Sequence, residues 1–217
     1  MIMNSLLRLS LVVALLPAAL VVPQSSNAQE EMREGRTYVG VLGTRVSHRS
    51  VDETKKVEGW STAAALVIGT HVSEFFHAEL RMGTGVSPGE IDQQLKLDID
   101  YFASWYFGGH YPVTRYANAY AQFGFTHVKG ESSLTPFGRY RAETAQSDLP
   151  EELRGPTYRD IAEKDYPGSS FSVSWIIGMD FEVVDNGFLF VEGGKLFEDT
   201  ETNANVFQFS LGAKYEF

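Results

Sequence analysis

The last twelve residues, VFQFSLGAKYEF (206–217), put Phe207, Phe209, Leu211, Ala213, Tyr215 and Phe217 in one register. Gln208, Ser210, Gly212, Lys214 and Glu216 fill the other. A period of two with one wholly apolar set is that of a β-strand whose two faces meet different surroundings. The alternation returns upstream. SFSVSWIIGMDFE (170–182) sets Phe171, Val173, Trp175, Ile177, Met179 and Phe181 against Ser172, Ser174, Gly178, Asp180 and Glu182. QLKLDIDYFASWYF (94–107) sets Leu95, Leu97, Ile99, Tyr101, Ala103, Trp105 and Phe107 against Lys96, Asp98, Asp100, Phe102, Ser104 and Tyr106. FFHAELRMGTG (75–85) alternates Phe76, Ala78, Leu80 and Met82 with His77, Glu79, Arg81 and Gly83. WSTAAALVIG (60–69), YANAYAQFGFTHV (116–128), TYVGVLGTRV (37–46) and FLFVEGGKLF (188–197) complete a set of eight strands.

The connections alternate in length. Short links are expected at THVSE, at GGHYPVT and at VVDN, where Asp185-Asn186-Gly187 is a tight-hairpin signal. Long ones are expected at about 47–59, 86–93, 129–169 and 198–205. Prolines 88, 112, 136, 150, 156 and 167 all fall in these links. Proline cannot donate to a central ladder, so their placement agrees with the segmentation.

The first residues follow another pattern. LSLVVALLPAALVV (9–22) is an apolar stretch behind Arg8, followed by PQSSNA with small residues at Ser26 and Ala28. This predicts a secretory signal peptide over 1–28, cut after Ala28, with the mature domain at 29–217. The mature part then holds 17 basic and 28 acidic residues, a net charge of −11. Such a balance argues against nucleic acid as a partner, because no basic stripe is present to neutralise phosphates. The absence of cysteine excludes disulfides and thiolate metal sites.

Eight alternating strands fit two architectures. A soluble periplasmic lipocalin-like barrel turns its apolar set inward; an outer-membrane barrel turns it outward to lipid. Strands of about ten residues suit a tilted crossing of a bilayer. Aromatic residues at strand ends (Trp60, Phe75, Trp105, Phe107, Tyr116, Phe171, Phe181, Phe217) suit its two interfaces, and short turns opposite long loops suit the membrane form. The predicted fold is therefore all-β, an eight-stranded antiparallel up-and-down transmembrane β-barrel.

The phrases YVGVLG and GAKYEF, with Tyr215 and a final Phe217, resemble the small eight-stranded outer-membrane protein family, of the OmpA-transmembrane-domain and opacity-protein kind. The resemblance implies residence in the bacterial outer membrane among lipid and lipopolysaccharide. It implies that the β-barrel assembly machinery reads Tyr215 and Phe217, and that the protein is a non-enzymatic monomer without cofactors. No peptidoglycan-binding domain is expected after the last strand.

The interior of such a barrel is just wide enough for side chains to fill. The polar registers predict a lumen charge network of Glu79, Arg81, Asp98, Asp100, Asp180 and Lys214. Glu192 and Lys195 occupy opposite registers of one strand, and Glu192 joins the network because a lipid-facing charge is most costly near mid-height. Arg81 is expected to pair with Asp98, Asp100 or Glu79, and Glu192 with Lys214, while Lys195 snorkels outside. Such a set reads as a structural plug, or alternatively as a narrow ion path. Loop 129–169 carries Arg139, Tyr140 and Arg141 and the acids Glu151, Glu152, Asp160, Glu163 and Asp165. It is the candidate contact for lipopolysaccharide phosphates or a host ligand. His127, Glu131 and Ser132 fit no hydrolase motif, and GxSxG is absent, so no catalytic residue is assigned and a lipid-modifying activity is the remote alternative. His48, His71, His77, His110 and His127 are too dispersed in sequence to predict a metal site.

Overall fold

The computed structural model describes residues 33–49, 58–144, 158, 162, 166, 171–199 and 204–217. The expected cleavage site and the loop acids Glu151, Glu152, Asp160, Glu163 and Asp165 lie outside them. Within the described residues run β1 (Thr37–Arg49), β2 (Glu58–His71), β3 (Phe76–Ser87), a short β4 (Gly89–Ile91), β5 (Leu95–Thr114) and β6 (Ala117–Leu134). Helix α1 (Pro136–Thr144), β7 (Phe171–Val184), β8 (Gly187–Glu198) and β9 (Asn205–Glu216) follow. The eight long strands are those read from the alternation, and each pairs antiparallel with its sequence neighbour.

Closure comes from β1 and β9, which pair from Tyr38↔Glu216 to Arg49↔Asn205. Two backbone bonds between Thr37 and Phe217 (2.8 and 3.1 Å) extend that seam by one pair. Closing the sheet removes the edges that an open one would expose. At one end lie Arg33, Phe217 and the tight connections; Asn186 takes a positive φ of 61° in the β7–β8 hairpin, as the Asp-Asn-Gly signal requires. The β5–β6 hairpin is tighter than expected. Its strands run on through Pro112, beside which the register shifts, and only residues 115 and 116 turn. Pro112 therefore stands in a strand end and not in a loop, at a bulge where no regular ladder bond is needed.

The register settles which face is inside. Phe209 and Leu211 are 58% and 63% exposed, whereas Asp180 is 2% exposed and Lys214 has only 10% of its side chain exposed. Leu66, Ile68, Leu80, Met82, Phe123 and Ile177 join the outer band, and Phe76 and Phe107 stack on it at 5.7 Å. All of this is the lipid-facing pattern of an outer-membrane barrel. Inside, Leu42, Val46, Ala63, Val67, Phe102, Phe190 and Phe197 form an apolar core.

β5 departs from the expected register. Asp100 is an extra residue between the pairs Ile99↔Gly130 and Tyr101↔Lys129. Such a bulge flips the faces of everything before it. Leu95, Leu97 and Ile99 therefore point inward and are buried, while Lys96, Asp98 and Asp100 point outward. The reason is physical: this part of β5 stands beyond the lipid band, where water surrounds the wall and the apolar face turns in. There Ile91, Leu95 and Leu97 pack with Tyr158, Tyr166 and Ala204 into a second core, capped by Leu134 and Ala162.

Candidate functional site

The polar residues of the lumen gather in the half nearest the tight connections. Around the barrel, β3 and β8 stand opposite each other, four strands apart in a ring of eight. Arg81 on β3 reaches across this diameter to Glu192 on β8. Its Nη2 donates to Oε2 at 2.8 Å, and a second ion pair joins Nη1 to Oε1. The same guanidinium pairs through Nε with Glu79 and lies 5.2 Å from the Tyr106 ring centre. Bidentate geometry and complete burial of both partners make this a strong, specific contact.

Each carboxylate has a second donor. Tyr38 on β1 donates to Glu79 Oε2, and Tyr120 on β6 to Glu192 Oε2, both at 2.8 Å. Both tyrosine rings need close approach to a neighbouring strand. A Cβ on Gly69 would lie 2.2 Å from the Tyr38 ring, and one on Gly178 would lie 2.6 Å from that of Tyr120. Glycine at these two positions is what lets the rings lie flat against the wall.

Nearer the tight connections, Lys214 donates to Asp180 Oδ2 at 2.7 Å, and Asn118 donates to Oδ1 at 2.6 Å. The Lys214 ammonium also sits 4.8 Å from the ring centre of Tyr38 and 5.5 Å from that of Phe188. Glu216 accepts from Arg33 Nε at 3.1 Å and faces His71 Nε2 at 3.2 Å. At mid-height a ladder of hydroxyls joins Ser104, Thr126 and Ser174, with Thr126 Oγ1 2.8 Å from Ser104 Oγ and 3.0 Å from Ser174 Oγ, donating to one and accepting from the other.

The predicted network thus divides. Glu79, Arg81, Asp180, Glu192 and Lys214 are inside. Asp98 and Asp100 are not: Asp98 meets Lys96 at 3.4 Å on the outer surface, and Asp100 is exposed at the bulge. The partner expected for Glu192 was Lys214. Instead Arg81 takes Glu192, and Lys214 goes to Asp180, two strands away across β8. Lys195 stands on the outer face and pairs with Glu198.

The histidines also differ from expectation. Strands β2, β3 and β5 are neighbours, and their ends bring His71, His77 and His110 together, all buried. His71 and His77 are direct register partners, and the β3–β5 pairing carries His110 up to them. At the other end His48 bridges Ser61 (2.8 Å) and Tyr166 (3.0 Å). Burial, and secondarily the Asp199 carboxylate, raise the Tyr166 hydroxyl well above the usual tyrosine range, so it stays protonated in this bond.

A closed eight-stranded wall with an apolar outside and a cross-braced polar inside marks a membrane barrel, and residues 13–217 match the family described as outer membrane protein beta-barrel domain. The chain belongs to that family. As an outer membrane β-barrel it resides in the bacterial outer membrane. Solved structures of similar architecture include Ail, the attachment invasion locus protein of Yersinia pestis, in complex with the heparin analogue sucrose octasulfate. That pair shares 14% identity over 85% of this chain and 99% of the other, with a TM-score of 0.49. Neisserial surface protein A shares 14% over 85% and 100%, at 0.48. The N-terminal barrel of Pseudomonas aeruginosa OprF shares 11% over 85% and 98%, at 0.47. Among curated proteins no sequence matches it.

On the outer side of this outer membrane β-barrel, α1 presents Arg139, Tyr140 and Arg141 exposed. Thr135 caps the helix: its Oγ1 accepts from the Gly138 amide at 3.0 Å. His127 and Ser132 fall in opposite registers of β6, so the wall separates them; His127 faces outward, with Tyr101 Oη 3.3 Å from its Nε2. Tyr215 on β9 and Phe217 just past its end lie on the outer face, 51% and 68% exposed.

Proposed function

We propose that this outer membrane β-barrel works through its outer surface and not through its lumen: a structural, surface-interacting protein with a plugged interior. The observation that carries this reading is the Arg81–Glu192 brace. It spans opposite walls, is satisfied on both carboxylates by tyrosines, and leaves a guanidinium where a conducted ion would pass. Opening a path there means breaking a buried ion pair, which costs about 3–5 kcal/mol.

With the lumen filled, contact falls to the outer end. The core of Ile91, Leu95, Leu97, Tyr158 and Tyr166 gives that end its own packing. Arg139 and Arg141, held on a capped helix beside Tyr140, suit anionic groups such as lipopolysaccharide phosphates or a sulfated or acidic host glycan. Tyr215 and Phe217 stand where an assembly receptor would read them, on the outward face of the closing strand.

Planar-bilayer recording on the purified barrel tests the closed lumen: no conductance steps are expected, and steady ion-selective steps would refute it. Binding of the folded protein to immobilised heparin and to lipopolysaccharide tests the outer surface. The doubly substituted Arg139→Ala, Arg141→Ala protein is expected to lose at least tenfold in affinity. Equal binding by both proteins would remove α1 from the interface.

A further inference from the structure

Most buried polar groups in the lumen have partners; the histidine cluster does not close on itself. His71 is 2% exposed, yet its Nδ1 makes no hydrogen bond among the described residues. Its other nitrogen, Nε2, faces Glu216 Oε1 at 3.2 Å. A carboxylate there fixes the proton on Nε2, which leaves the Nδ1 lone pair unused. Carboxylate–imidazole–metal arrays have this arrangement, in which the carboxylate orients the ring and the opposite nitrogen ligates.

The other two rings point the same way. His77 Nδ1 and His110 Nδ1 are 3.3 Å apart. With metal–nitrogen bonds of about 2.0–2.1 Å, two nitrogens on one tetrahedral zinc stand roughly 3.3 Å apart. One ligating nitrogen from each of the three rings lies within 4.8 Å of the others. Between them is a cavity of about 10 Å³, lined also by Tyr120, Asp180 and Lys214. That is room for about one water-sized particle.

The charges tolerate a cation. Among the described residues paired in this half of the lumen, Glu79, Asp180, Glu192 and Glu216 outnumber Arg33, Arg81 and Lys214 by one, and the Lys214 ammonium that lines the cavity is held by Asp180. We propose that His71, His77 and His110 form a three-imidazole site for one divalent transition-metal ion of the zinc class, tying the ends of β2, β3 and β5 together. Imidazole ligands select zinc, cobalt, nickel or copper over magnesium and calcium. Loading needs one rearrangement. His77 Nε2 now accepts from the Gln122 amide. When Nδ1 ligates, the proton moves to Nε2 and the amide turns over to present its oxygen.

The test uses the untagged mature barrel, folded in detergent and stripped of metal with a chelator. Titration with Co2+, followed by its visible absorption, is expected to saturate at one ion per chain, and Zn2+ is expected to displace it. His77→Ala and His110→Ala are each expected to weaken binding at least tenfold, while His127→Ala, on the outer wall, leaves it unchanged. Heat-modifiable migration on a gel reports whether each variant is folded. Should a variant misfold, imidazole nitrogen shifts of the wild type under Zn2+ decide the matter, since only three rings should move. No stoichiometric uptake by the folded wild type, equal affinity in His77→Ala, or shifts confined to His48 or His127 would each overturn the site.

Discussion

Arg81 meets Glu192 across the barrel's diameter and Glu79 along its own strand. Removing it leaves two buried carboxylates without a cation, a loss of about 3–5 kcal/mol. Arg81→Ala is therefore expected to lower the urea midpoint of folding into lipid vesicles, whereas Arg139→Ala on exposed α1 leaves it unchanged. An Arg81→Ala protein with the wild-type midpoint would show that the brace contributes nothing. That Glu79, Arg81, Asp180 and Lys214 share the polar face was legible from alternation, because a period of two assigns a face without knowledge of any partner. The inward place of Glu192, opposed in register by Lys195, follows instead from the cost of a lipid-facing charge near mid-height. Which carboxylate each cation meets was not. Pairing depends on strand shear and on residues far apart in sequence, and the choice of Arg81 over Lys214 by Glu192 exists only once β3 faces β8. The histidine cluster was hidden for the same reason. His110 lies 33 residues from His77 in the chain, and only the β3–β5 ladder joins them.

Each long strand carries two rules, one inside the lipid band and one beyond it. Along β9 the apolar register meets lipid throughout, so the first rule reads cleanly. Along β5 the rule inverts at Asp100, where the wall leaves the membrane and the bulge turns Leu95, Leu97 and Ile99 inward. The adjacent pair Tyr101-Phe102, two aromatics where one polar residue was due, was the sequence signal of that break. Deleting Asp100 restores a single register and drives the three apolar residues out into water. The expected result is faster proteolysis of the 129–169 segment in the folded protein, with the barrel itself still heat-modifiable. Within the band, a charge on the outer face is costly by depth, about 2–4 kcal/mol near the midplane. Leu66→Arg, midway along β2, is expected to lose that much in vesicle folding titrations, and Thr62→Arg near the outer end distinctly less. Equal losses at both positions would place the band elsewhere.

At the scale of the whole molecule, closure by β1 and β9 makes an outside and an inside, and everything else sorts by that boundary. The alternation, the order of short and long connections and the β7–β8 turn were readable before the fold was known, since they follow from local geometry. The β5–β6 turn is shorter than the sequence implied, because Pro112 belongs to a strand end and not to a loop. The α1 helix, the short β4 and the second core at the outer end were not, because they depend on loops packing over one another. The claim on which the rest stands is that the apolar register faces lipid. All three tryptophans of the chain (Trp60, Trp105 and Trp175) lie on that register, 45%, 52% and 38% exposed. Intrinsic fluorescence of the barrel folded into vesicles of bromine-labelled phospholipid measures this directly, since bromine quenches only the indoles it touches. Strong quenching of the whole emission, with little added by an aqueous quencher, is the predicted result. Emission that survives brominated lipid would put those rings inside the barrel and contradict the account.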